Sequence, residues 1–161
     1  MQPITAHEVL RSGLWLRADS RVVLGYDARL LRRRRLTAED GTEFLVDLQE
    51  TTSLEQGDAF RLSDGRLIVV IAAPEPVVQV RGNLARLAWH IGNRHTPCEI
   101  ADDHLVIRRD HVLERMLTGL GAVLTPKEGP FRPEGGAYGH GRTMGHDHGH
   151  DHGQFHLHPH A

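Results

Sequence analysis

The 161-residue chain has one cysteine, Cys98, so it can build neither an internal disulfide framework nor a four-cysteine zinc module. A lone thiol points to a reducing compartment. Long apolar runs are also missing. The longest, residues 67–73, has seven residues and stops at Pro74, whereas a membrane-spanning helix needs about 20. The first ten residues lack a basic segment followed by an apolar core, so no signal peptide is expected. These absences lead to the expectation of a soluble, cytoplasmic protein without a membrane partner. Neither charge sign dominates: 19 Lys and Arg against 21 Asp and Glu give a formal charge of −2. A general nucleic-acid binder would carry a strong basic excess, so no nucleic-acid partner is expected. There is no Gly-x-x-x-x-Gly-Lys-Ser/Thr phosphate loop and no His-Glu-x-x-His pair.

What the chain has in excess is histidine. Of its 13 histidines, eight fall between His140 and His160. Protonating all 13 would take the charge to roughly +11, which makes it unusually sensitive to pH between about 6 and 7. The rest of the composition, 39% apolar and 25% charged, suits a globular core. The length suits one ordinary domain or two small ones.

The expected class is α+β with two domains. Residues 1–73 read as a small all-β sandwich or barrel, with short β-prone runs at 21–24, 43–48 and 67–71. Asp64-Gly65, between Phe60-Arg61-Leu62 and Leu67, signals a hairpin. Arg32-Arg33-Arg34-Arg35 is either a solvated strand or strand edge, where charge discourages edge-to-edge pairing, or a docking patch for an acidic partner. The run lacks the interleaved aromatics of a nucleic-acid surface. Pro74-Glu75-Pro76 is expected to break the chain and mark the boundary.

Residues 76–137 have a different rhythm. A strand at 77–80 precedes a helix at 83–91 with Leu84, Leu87, Ala88 and Ile91 on one face. Short strands at 99–101 and 105–108 flank an Asp102-Asp103 turn. Asp110 caps a second helix, with Leu113, Met116, Leu117 and Leu120 apolar and Gly121 as its stop. A last strand at 122–125 ends before Pro126. The order β-α-β-β-α-β is ferredoxin-like. So small a unit calls for a partner surface. Residues 138–161 read as a His-rich tail that is disordered without ligand.

Three groups of residues carry chemistry. In the tail, His140, His146, His148, His150, His152, His156, His158 and His160 alternate with Asp and Gly. Imidazole suits nickel, zinc and copper, Asp adds oxygen donors, and Gly lets the chain wrap an ion. The histidines are not consecutive, which distinguishes the segment from a purification tag. In the folded part, His90 and His95 flank the end of the first helix, and His95 is expected on the exposed loop that follows. One imidazole cannot fill the shell of a metal ion, but two copies across a twofold axis supply a pair that tail histidines can complete. Cys98 either adds a thiolate or begins a buried strand. His111 lies on the first turn of the second helix, where the helix dipole disfavours its protonated form. His7 and His104 read as ordinary surface residues.

Gly92-Asn93-Arg94-His95-Thr96-Pro97, then Asp110-His111-Val112-Leu113-Glu114-Arg115-Met116-Leu117 and Leu120-Gly121-Ala122, resemble the UreE family of urease accessory proteins. Gly136-Ala137-Tyr138-Gly139 before a His-rich tail, and Asp64-Gly65-Arg66 after Gly57-Asp58, extend the resemblance over essentially the whole chain. It implies a nickel metallochaperone rather than an enzyme. It also implies an N-terminal β domain likened to peptide-binding modules, and a ferredoxin-like C-terminal domain through which the protein is a homodimer. The histidine of the Gly-Asn-Arg-His motif, here His95, would bind Ni(II) at the dimer interface, with tail histidines adding ligands. Some members carry a second histidine at the position of Arg109, so here His111 stands alone on its helix. The implied partners are the UreG GTPase and, through it, the urease assembly complex.

Four functions compete. One is delivery of Ni(II) for assembly of the urease active site. The alternative is storage or buffering of nickel or other divalent ions by the tail. A metal-dependent hydrolase would need three fixed ligands and a base, which are not visible around His95, although Glu99 is near in sequence. An adaptor working through the arginine run is compatible with delivery. Imidazole sites follow the usual divalent order, so Zn(II) or Cu(II) is expected to bind in vitro, Cu(II) more tightly than Ni(II).

Overall fold

The computed structural model describes residues 2–136. Ten strands and two α-helices follow one another as β1 Thr5–Leu10, β2 Ser20–Leu24, β3 Leu30–Thr37, β4 Glu43–Ser53, β5 Ala59–Leu62, β6 Leu67–Ala72, β7 Pro74–Arg81, α1 Leu84–Asn93, β8 Glu99–Ile100, β9 Leu105–Arg108, α2 His111–Gly119 and β10 Val123–Pro130, with a 3-10 turn at Asp27–Arg29. The first six strands form one sheet in the order β2-β6-β5-β1-β4-β3, and the other four form a second in the order β10-β7-β9-β8.

The first sheet is a single sheet that curls on itself. Alternation along its strands turns Ala6, Val22, Leu36, Phe44, Val46, Phe60, Ile68 and Val70 into one shared core. Each large side chain taken out of water there contributes roughly 1.5–3 kcal/mol. The hairpin expected at Asp64-Gly65 joins β5 to β6. Gly65 takes φ +90°, and the Asp64 carboxylate accepts the Arg66 N–H at 3.0 Å. The two end strands of the sheet order, β2 and β3, come together just past the end of β3. There the Glu39 N–H donates to the Arg21 carbonyl at 2.8 Å, and Arg21 and Glu39 pair through their side chains. The arginine run is on β3, at the edge of the sheet, with all four residues exposed.

Two proline expectations about strand limits fail, although the change of sheet does fall at residue 73. Pro74-Glu75-Pro76 does not break the chain; it opens the eight-residue strand β7, one residue after β6 ends. Those prolines pair with Pro130 and Glu128 of β10, before the pairing to β9 begins at Val77. That stretch has a neighbour on one side only, so a missing N–H forfeits no ladder bond. Likewise the last strand does not stop before Pro126 but runs to Pro130, because β10 is itself an edge strand.

The second sheet buries both faces. On one, Val78, Val80, Leu105 and Ile107 meet Leu87 and Ile91 of α1 and Leu113 and Leu117 of α2. The side chain of Asn83 caps α1 by accepting the Arg86 N–H at 3.2 Å, and that of Asp110 caps α2 by accepting the Leu113 N–H at 2.9 Å. On the other face, Val77 and Val106 pack with Tyr26 and Phe131.

Tyr26 belongs to the first unit, so this small cluster is the seam. Several polar contacts accompany it. The Tyr26 N–H donates to Glu75 at 2.9 Å. Arg108 lies 4.6 Å from the Tyr26 ring centre and pairs with Asp27 at 3.0 Å. Arg29, 2% exposed, donates to the Leu24 carbonyl at 3.1 Å and to the Phe131 carbonyl. Arg29→Met keeps the side-chain length but removes both charge-assisted bonds. It is expected to lower stability to urea by roughly 3 kcal/mol; an unchanged urea midpoint would contradict this account of the seam.

Candidate metal centre

His95 stands at the carboxyl end of α1. The helix ends at Asn93, Arg94 is its cap, and His95 follows with φ +56°. It is the one non-glycine residue in left-handed conformation among the described residues. The His95 N–H donates to the Gly92 carbonyl at 2.9 Å and the Thr96 N–H to the Ile91 carbonyl at 3.4 Å. This is the Schellman closure of a helix, and its left-handed position is ordinarily glycine. A histidine there costs conformational energy that glycine would not, on the order of 1 kcal/mol. A polar residue held in that conformation motivates a functional hypothesis. The residue is half-buried, not on a fully exposed loop as its sequence position suggested. Pro97, two residues beyond, fits the habit of proline to follow such caps. Counting back from it would have located the left-handed position.

The loop is held on two sides. Arg94 donates to the Met116 sulfur on α2 at 3.9 Å. On the other side, the chain leaving β10 returns to it: the Glu134 N–H donates to the Cys98 carbonyl at 2.8 Å, and the Arg132 N–H to the Glu99 carboxylate at 2.8 Å. The described chain therefore ends, at Gly136, a few residues from the His95 loop. Nothing in the linear sequence signalled this approach.

His111 is exposed on the first turn of α2, directly after the Asp110 cap. A hollow of about 340 Å³ separates the two candidates, lined by Thr96 and Pro97 on one side and Arg109 and Asp110 on the other. Its charged lining is balanced, Arg108 and Arg109 against Glu75 and Asp110. His90 is half-buried on α1, its ring edge-on to Trp89 at 5.0 Å. His7 bonds through Nδ1 to the Asp47 carbonyl at 2.9 Å, and His104 through Nδ1 to Asp103 at 2.6 Å. Among the described residues, no three His, Cys, Asp or Glu side chains are grouped to hold a metal ion. His140, His146, His148, His150, His152, His156, His158 and His160 lie outside the described residues, as does the expected disorder of that segment.

Cys98 precedes β8, half-buried, and its thiol donates to the Glu99 carbonyl at 3.5 Å. Burial, reinforced by the charges of Glu99 and Glu134, pushes it up to about 11. A thiol that stays protonated at neutral pH is a poor ligand and a poor nucleophile.

Two family models match the chain: the UreE urease accessory protein N-terminal domain over residues 3–73, and the C-terminal domain of the same protein over residues 69–160. Curated relatives match at high identity. The urease accessory protein UreE of Cereibacter sphaeroides is 65% identical over 144 residues, which cover 89% of this chain and 79% of the relative. That of Rhodobacter capsulatus is 60% identical over 153 residues, covering 95% and 96%. That of Paracoccus denitrificans is 67% identical over 125 residues, covering 78% and 80%.

The backbone at His95 makes a stability prediction separate from metal. His95→Gly is expected to leave the fold at least as stable as the parent, and His95→Ala to be less stable than the glycine variant by about 1 kcal/mol, read by urea unfolding. An alanine variant more stable than the glycine variant would contradict the left-handed assignment. At pH 8, iodoacetamide is expected to modify Cys98 roughly a hundredfold more slowly in the native protein than in urea, because the raised thiol pKa suppresses thiolate. Equal rates would refute its protected state.

Proposed function

The chain belongs to the UreE family of urease accessory proteins, and from that premise we propose that it is a nickel metallochaperone: it binds Ni(II) as cargo and delivers it for assembly of the urease active site. It is not itself an enzyme. The partners of this reading are a UreG-type GTPase and, through it, the urease assembly complex, met in the cytoplasm. No described helix is long and apolar enough to cross a membrane.

The observation that carries the reading is His95 in its left-handed, half-buried position at the end of α1, beside the segment from which the tail departs. We take residues 1–73, 76–137 and 138–161 as the working divisions, the second of them ferredoxin-like. Its element order β-α-β-β-α-β and its strand order β10-β7-β9-β8 support that name. A homodimer through this unit would bring two copies of His95 to one ion. The unit exposes Trp89, Ile100, Val112 and Val123, apolar surface on which self-association can draw.

The tail would complete the shell. His140 is four residues beyond Gly136, a reach of at most about 14 Å in extended chain. His111 is a subsidiary ligand in this proposal, and His146, His148, His150, His152, His156, His158 and His160 form the collecting segment. The density of that segment favours a second reading, storage or buffering of divalent ions with the fold as carrier.

Nickel titration with light scattering on the full-length protein and on a truncation after Tyr138 separates the two. Delivery predicts that the truncated dimer keeps about one tightly bound ion, and that His95→Gly in the truncated protein removes it. Loss of all tight binding on truncation alone would favour storage. Because the imidazoles must be neutral to ligate, affinity should fall as pH is lowered through about 6.5. A pH-independent affinity would argue against histidine ligation.

A further inference from the structure

Four consecutive arginines, Arg32 to Arg35, are exposed on β3, the last strand in the order β2-β6-β5-β1-β4-β3. We propose that the free edge of β3 takes up an extended acidic segment of another protein as an added β-strand.

The geometry of the edge is the first argument. One side of β3 is laddered to β4, from Leu30↔Ser53 to Thr37↔Glu43. On the other side, every second residue directs its N–H and C=O away from β4, which is a template for a further strand. β2, at the opposite end of the sheet order, shares no ladder with β3 and joins it through Glu39 and Asp40, past the end of the strand.

Charge is the second argument. The register shifts between Leu31 and Arg33, so Arg32 sits in the irregularity. Beyond it Arg33 and Arg35 share one face, while Arg34 is on the face of Leu36. Positive charge thus flanks the edge on both sides. Among the described residues only Arg33 of the four has a carboxylate within reach, Asp47 at 3.7 Å. A strand with acidic side chains on both faces would supply the missing counter-charges while completing the backbone ladder.

The same features reject other occupants. A second copy of β3 would set arginine against arginine, and like charges directly opposite are destabilising. Nucleic acid has no strand ladder to offer, and the run has no aromatic between its arginines to stack a base. The edge is thereby closed to general β-pairing and open to one chemical class, which makes it selective as well as protective.

The test uses the full chain and a dye-labelled decapeptide of alternating Glu and Val, read by fluorescence anisotropy at about 50 and 300 mM salt. Two N-methylated versions block the N–H groups of the Glu residues or of the Val residues. The unmodified peptide should bind, and more weakly at the higher salt. One N-methylated version, and not the other, should lose roughly tenfold or more in affinity, because only one set of N–H groups faces β3. Replacing all four arginines (Arg32→Glu, Arg33→Glu, Arg34→Glu, Arg35→Glu) should abolish binding, while the four Arg→Lys substitutions should retain it. Equal binding of both N-methylated peptides would overturn the added strand. Displacement of the Glu-Val peptide by an equal concentration of a ten-nucleotide single-stranded DNA would overturn the selectivity for a peptide. Nickel titration of the glutamate variant should match that of the parent, so failure here is separable from failure of the metal reading.

Discussion

The arrangement of the whole molecule turns on the guanidinium of Arg29. It is buried between the two sheets and bonds to the carbonyls of Leu24, in the first unit, and Phe131, beyond the last strand of the second. Burying a cation among Tyr26, Val77, Val106 and Phe131 is costly, and the two carbonyl bonds and the Tyr26 ring, 5.8 Å from the guanidinium carbon, offset part of that cost. By fixing Phe131, Arg29 also fixes the path of the chain that follows. Arg132 and Glu134 then bond to Glu99 and Cys98, and the root of the histidine tail is set down beside the loop that carries His95.

Much of this architecture was legible in the sequence. Helices α1 and α2 follow from apolar spacing and from Asn83 and Asp110, whose side chains cap them as their residue type suggests. The β5–β6 hairpin follows from Asp64-Gly65, since glycine adopts the positive φ that the turn needs. The errors came from residues whose effect depends on neighbours. Pro74, Pro76 and Pro126 read as breaks, yet each lies where a strand has an unpaired side. Whether a side is unpaired is a property of the sheet and not of the local sequence. The seam was invisible for the same reason: Arg29 and Phe131 are 102 residues apart.

At the candidate site, residue identity was readable but conformation was not. Two chemically similar possibilities, Cys98 and His95, lie three residues apart. The structure separates them by environment: burial, reinforced by Glu99 and Glu134, keeps the Cys98 thiol protonated, while His95 sits at a position that glycine would fill more easily. The one thiol is quiet, and the strained residue is the imidazole. Outside the His-rich tail, the histidines are spread over both units and are not grouped. Among the described residues, no three metal-ligating side chains come together.

A single residue, Ala73, separates β6 from β7. Most two-unit proteins connect their parts through a linker that lets one part swing; here the crossing has no slack. The first sheet is joined to the second both by this short crossing and by the seam around Tyr26 and Phe131. On the proposed reading, a partner held at the edge of β3 would also set the orientation of His95, and the bearing at which an ion is presented would be decided by a contact made in the other unit.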